Sequence, residues 1–306
     1  MTSRPTARTA TVLVTVLVTA LLLAGCSSKT SQPPQSAGQA AGAQASVAVE
    51  LSESTSDFAI YLRQQATLLD TGTAEFAAAY QSGDDALARS LYAPTRMFYN
   101  RMLVAQTLFT DLAAQLDAHQ ADLAPGAAFT GWHAIESDLY PAPGQAPLTA
   151  EQRTDLATRL ASDTHALYEK VMSERPTVDQ QTEGAATLLQ TLGAAAAARR
   201  QDAPSGSDVS DLQGYVDSAH LVFEGIRVVL VTQDAALATT LDHQFGALQN
   251  TLNDQRTGVT FRTDDQVSDA DWATLVSQTA DLAASMARVT STMAPATASP
   301  SPAPAG

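Results

Sequence analysis

A single cysteine, Cys26, occurs in 306 residues. It cannot close an internal disulfide, and it rules out every Cys-x-x-Cys or Cys/His zinc module, so any metal here must sit on oxygen and imidazole. Basic residues are also scarce: 17 Lys and Arg face 32 Asp and Glu, a formal charge of −15. Such a body repels a phosphate backbone, which argues against nucleic acid as a partner. The chain has no His-Glu-x-x-His, no Gly-x-Ser-x-Gly and no Gly-rich phosphate loop. The zinc-protease, serine-hydrolase and nucleotide-binding arrangements are therefore missing, and an enzyme is not expected. Alternating β-branched runs are few, while 45% of the residues are hydrophobic, enough for a sizeable core built mainly from helices.

The amino terminus has its own pattern. Arg4 and Arg8 precede an apolar run over residues 11–23, too short to span a bilayer comfortably, and Leu23-Ala24-Gly25-Cys26 follows. This resembles a bacterial lipoprotein signal with its lipobox. The resemblance implies that residues 1–25 are a signal peptide cut before Cys26, and that acyl chains on Cys26 anchor the protein to the outer face of the cell membrane. Residues 26–46, rich in Ser, Gln, Gly, Ala and Pro, read as a flexible tether, and the Pro/Ala/Ser repeat of 294–306 as a disordered tail.

Between them, residues 47–293 read as all-α. A first helix is expected over 47–69, stopped by Asp70-Thr71-Gly72, and a second over 74–81. Asp84 is placed as an N-cap for a longer helical region that runs toward Asp117, with Pro94 inside it. A short helix is expected at 132–140, and Thr149 with Gln152 forms the signature of a capping box. Helices then follow at 149–174, 177–201, 208–232, 234–253 and 268–292. Long helices with short joins imply antiparallel bundles, and two are expected, about 47–145 and about 146–293.

One segment departs from this background: Phe129-Thr130-Gly131-Trp132-His133-Ala134-Ile135-Glu136. His133 and Glu136, three apart on a helix, rise from one face, and an imidazole with a carboxylate suits iron, manganese, zinc or copper rather than calcium. His119, His165, His220 and His243 are isolated and read as surface or packed imidazoles; Tyr140 reads as a helix-end packing residue, Asp217 as a structural acid, and Arg199-Arg200 as a solvated helix end.

That segment, with Ala88-Arg89, Leu91-Tyr92, Arg96, Tyr99, Phe109-Thr110-Asp111-Leu112 and Leu116-Asp117 before it, resembles the imelysin-like family of bacterial iron-uptake proteins typified by EfeO and EfeM. Glu183-Gly184-Ala185-Ala186-Thr187-Leu188-Leu189 and the run from Tyr215 through His220 to Phe223 resemble its second half. The likeness spans roughly 50–290 and fits the short form without a cupredoxin domain. It implies an exported protein of two helical bundles that binds a metal ion, iron first among the choices, at His133 and Glu136, with Asp117 and Asp111 as acids ahead of the motif. It further implies service in an EfeUOB-type uptake system beside a membrane iron permease and an exported haem peroxidase.

Where the family reads Tyr-Glu-x-x-Glu, this chain has Tyr99-Asn100-Arg101-Met102-Leu103. Losing two carboxylates weakens the attraction that offsets dehydration of a small, multiply charged ion. A scaffold or interaction lipoprotein with a degenerate metal site is the alternative. The family site also needs a bend between 103 and 117, since one straight helix there would span about 21 Å; no Pro or Gly marks it.

Overall fold

Helical periodicity with well-placed caps produces a structure that is almost entirely helix. A computed structural model describes residues 37–198 and 204–297, and its helices are α1 (Ala37–Ser82), α2 (Asp85–Asn100), α3 (Thr110–Leu116), α4 (Trp132–Leu139), α5 (Ala150–Ser173), α6 (Val178–Ala198), α7 (Asp208–Gln233), α8 (Ala235–Asp254) and α9 (Asp269–Thr297). Asp84 accepts a hydrogen bond from the Leu87 N–H at the start of α2. The Thr149 and Gln152 side chains form the expected reciprocal box at α5. Asp234 both ends α7 and caps α8 through the Leu237 N–H. These side chains satisfy donors that a helix terminus leaves open.

Four expectations are corrected. The stop at Asp70-Thr71-Gly72 is absent, and α1 runs unbroken to Ser82. Gly72 serves packing instead: a β-carbon there would lie 3.0 Å from Thr95 Cγ2 on α2, so the missing side chain lets the two helices approach closely. α1 begins at Ala37 and α9 ends at Thr297, each some residues beyond the helical bounds read from the sequence. The long helix toward Asp117 breaks after Asn100 into a 3₁₀ segment, Leu103–Leu108, followed by α3. A two-residue hairpin, β1 (Arg256–Thr257) with β2 (Thr260–Phe261), turns at Gly258 (φ 65°); strands that short leave no period to read.

The helices sort into two groups. α1 packs on α2 and α5, and α4 bridges α2 and α5, with α3 against α5; α6, α7, α8 and α9 form the second group. The division thus falls after α5, not near residue 145, because α5 lies along α1. α7 packs on α1 and α2, and α6 packs on the 3₁₀ segment, so one continuous apolar cluster runs from Phe58 and Leu62 in α1 to Leu282 and Met286 in α9. Among the described residues no helix is long and apolar enough to cross a membrane. Cys26, the signal segment and Arg199-Arg200 lie outside the described residues.

Candidate metal centre

The break that the motif requires is made by packing. Leu103, Val104, Phe109 and Leu116 are all buried, and α6 lies directly over the backbone at Val104, where a β-carbon on Gly184 would fall 1.9 Å from the Val104 carbonyl oxygen. Ala105 (φ −107°, ψ 20°) and Phe109 (φ −144°, ψ 37°) leave helical geometry, and the chain turns back so that Asp117 follows the end of α3. Gly131 then fixes the start of α4. Its φ is +80°, and a β-carbon would sit 2.3 Å from the Leu116 oxygen and 2.6 Å from the Gln115 oxygen. Only glycine combines that dihedral with that approach. The result sets the first turn of α4, carrying His133, beside Asp117.

His133 is gripped on both ring nitrogens. Nδ1 lies 2.8 Å from Glu136 Oε2, and Nε2 lies 3.3 Å from Asp117 Oδ1 without an aligned hydrogen bond. Glu136 is fully buried; its other oxygen accepts from the Ser205 N–H (3.2 Å) and from the Ser205 hydroxyl. The Arg96 guanidinium, 1% exposed, donates through Nη1 to Asp117 Oδ1 (2.5 Å) and through Nε to Asp211 Oδ2 (3.3 Å). Asn100, at the first position that has lost its family acid, donates Nδ2 to Asp211 Oδ1 at 2.7 Å. Leu103, at the second, is buried in the core.

Burial and opposing charges set the protonation of this network. Burial and the Arg96 charge pull the His133 pKa down, but the carboxylates of Asp117 and Glu136 outweigh them and raise it. Burial works against ionised Asp117 too, yet Arg96 and His133 bring its pKa down to about 2. Glu136 is likewise lowered, because His133 and Ser205 overcome burial. For Asp211 burial prevails over Arg96, and its pKa rises.

Three of the expected residues come together here: His133, Glu136 and Asp117. Asp111 does not, being exposed in the first turn of α3. His119 was not expected: its ring stacks on His133 at 3.9 Å between centroids, and burial with the His133 charge lowers its pKa. The sequence signal was only its position two residues after Asp117. His165, His220 and His243 are exposed as expected, and Asp217 pairs with Arg101. A cleft of about 680 Å³ opens onto the motif, lined by His119, Phe129, His133, Glu136, Ser137 and Pro204.

Among the described residues no three His, Cys, Asp or Glu side chains are arranged to hold a metal ion. The two carboxylates take opposite edges of one imidazole, so Glu136 orients the ring as metal-bound histidines are commonly oriented. Nε2 pairs with Asp117 Oδ1 at 3.3 Å, and the raised His133 pKa favours a proton there, which an incoming metal ion must displace. His133 and Asp117 thus fit an N/O pair for a transition metal, short of a complete set, and Arg96 already satisfies part of Asp117.

The imelysin family model, Peptidase_M75, matches residues 54–289. The iron uptake system component EfeM of Pseudomonas syringae pv. syringae is 30% identical over 243 residues, 78% of this chain and 84% of that protein. The iron uptake system components EfeO of Yersinia pseudotuberculosis and of Escherichia coli are 29% and 28% identical, over 79% and 80% of this chain. This chain spans 64% and 65% of their lengths. With the Gly131 to Glu136 motif seated against Asp117 and the family match covering most of the helical body, the chain belongs to the imelysin family.

Proposed function

We propose that this protein is a non-enzymatic component of an iron uptake system, held on the outer face of the cell membrane by lipid on Cys26, and that it takes up its cargo ion at His133 Nε2 with Asp117. The observation that carries the reading is the convergence of His133 Nε2, its ring held by Glu136 at Nδ1, with Asp117 Oδ1 at 3.3 Å; the ion would displace the proton between them. The relatives named as iron uptake components support the cargo. A membrane permease and an exported haem peroxidase are the expected neighbours in that system. The acidic surface assists by raising local cation concentration, within the limits of salt screening.

The second reading, an envelope scaffold with a degenerate site, is favoured by Arg96, whose guanidinium already pairs with Asp117 and Asp211. Calorimetric titration of the chain lacking residues 1–26 with ferrous, ferric, zinc and manganese ions, with elemental analysis of the complex, separates the two. Cargo capture requires one ion per chain, lost in His133→Ala and weakened at least tenfold in Asp117→Asn. Absence of binding, or equal binding by the variant carrying both His133→Ala and Asp117→Asn, leaves the scaffold.

A further inference from the structure

A second cavity, of about 390 Å³, lies on the other side of Ser205 from the metal cleft. Its walls are α2, Tyr140 at the end of α4, the Ser205–Ser207 entry to α7, and the hairpin from Val259 to Thr263. Its size matches pockets that hold small organic molecules. In a chain with almost twice as many acids as bases, this lining holds three arginines, Arg89, Arg101 and Arg262, and no Asp or Glu.

The three guanidiniums are not equally committed. Arg101 is neutralised by Asp217, with Nε and Nη2 at 2.9 and 2.8 Å from one oxygen. Arg89 donates Nε and Nη2 to the Leu139 carbonyl (2.8 and 2.6 Å) and lies over the Tyr140 ring, which fixes its position without cancelling its charge. Arg262 makes only a 3.4 Å contact with Gln255 Oε1. Among the described residues neither Arg89 nor Arg262 has a carboxylate within ion-pair distance. The acids next in sequence to the wall, Asp208 and Asp264, do not line the cavity. The Ser207 hydroxyl adds a donor, those of Ser90 and Thr263 being given to the Leu87 carbonyl and to Asp265, and Pro94, Met97, Phe98 and Phe261 supply apolar walls. Val259, 94% exposed at the hairpin tip, forms part of the lip.

We propose that this cavity binds a small organic anion, an oxyanion head held between Arg89 and Arg262 and carried on a planar apolar body that lies against Phe98 and Phe261. Charge complementarity supplies the head group's selection, since guanidinium pairs with carboxylate and phosphate oxygens in the same planar manner. Aromatic and proline walls select the body.

The test is calorimetric titration of the full chain in metal-free buffer, so that its outcome does not depend on the metal cleft. The probes are 2-naphthoate and 2-naphthyl phosphate, with uncharged 2-naphthol and acetate as comparisons. Both naphthyl anions are expected to bind one per chain, at least tenfold more tightly than 2-naphthol or acetate. Arg262→Gln, on the exposed hairpin, should weaken the anions about tenfold. Ser90→Glu, which adds a negative charge to the exposed rim, should abolish binding. Naphthol binding as tight as that of the naphthyl anions, absence of binding by both naphthyl anions at millimolar concentration, or binding unaltered in both variants would each overturn the proposal. If only one of the two anions binds, the site stands and its head group is identified.

Discussion

At the scale of single residues, Gly131 does more for the site than either His133 or Asp117. Its positive φ turns the chain into α4, and its missing side chain lets α4 begin against the carbonyls of Gln115 and Leu116. Gly131→Ala would add the cost of a backbone conformation nearly confined to glycine (φ 80°, ψ −160°), about 1–3 kcal/mol, to a clash with backbone oxygens that cannot rotate away. The expected loss is at least about 3 kcal/mol of stability, read as a large drop in thermal midpoint by circular dichroism. A change within about 0.5 kcal/mol would mean that the α3–α4 junction is not packed as described. The motif was legible in the sequence because its residues are contiguous. His119 and Arg96 were not, because their places beside His133 follow from the reversal between α2 and α4, and no spacing rule spans it. Asp111 misled for the opposite reason: its neighbours resemble the family pattern, but α3 is a helix of only 7 residues whose exposed side carries it.

At the scale of elements, capping and periodicity located most helices, and Asp84 and Thr149 did what their chemistry dictates. What failed was a glycine. Gly72 reads as a stop, yet it and Gly184 are both places where a second element presses on bare backbone, and only the partner's position reveals that. The start of α7 lies where the sequence puts it, at residue 208, but what caps it was hidden. Its N-cap, Ser207, makes no side-chain capping bond, and the Asp264 carboxyl, from the turn after the hairpin, approaches the Asp208 and Val209 N–H groups instead. Asp208 and Asp264 face each other there, and burial first, then their mutual repulsion, raises the pKa of Asp208, with burial again leading for Asp264. A carboxyl whose folded pKa is raised binds its proton more tightly in the native state. Its stabilisation is full below the unfolded value, near 4, and is lost as pH rises through the folded value. Asp208→Asn keeps the neutral form at every pH. It should match the wild type near pH 4 and exceed it by about 1 kcal/mol or more at about pH 8, checked by urea unfolding at both. A variant that is less stable at the alkaline end would show that the pair is not held close in the native state.

Over the whole molecule, the two helical groups are tied by charge as well as by apolar contact. Arg96 and Asn100 on α2 reach Asp211 on α7, and Arg101 just beyond α2 reaches Asp217. A guanidinium as deeply buried as Arg96 is tolerable only while Asp117 and Asp211 stay beside it, because an uncompensated buried charge costs several kcal/mol. Separating the groups would strip Asp211 from Arg96 and open the apolar cluster they share. Independent unfolding of the two groups is therefore disfavoured, although their size would permit it. The two tryptophans report on the question directly: Trp132 is fully buried in α4 of the first group, and Trp272 is 4% exposed in α9 of the second. Trp272→Phe leaves fluorescence from the first group, and Trp132→Phe leaves it from the second. In each single-tryptophan variant the urea transition followed by fluorescence should coincide with that followed by helical circular dichroism, as a single cooperative unit requires. Arg96→Met should preserve packing volume but leave Asp117 and Asp211 without their cation, lowering the midpoint for both reporters together. If the Trp132 signal were lost at lower urea while the Trp272 signal persisted, the salt-bridged seam would be a contact between two self-sufficient bundles, and the buried charges would serve the site alone.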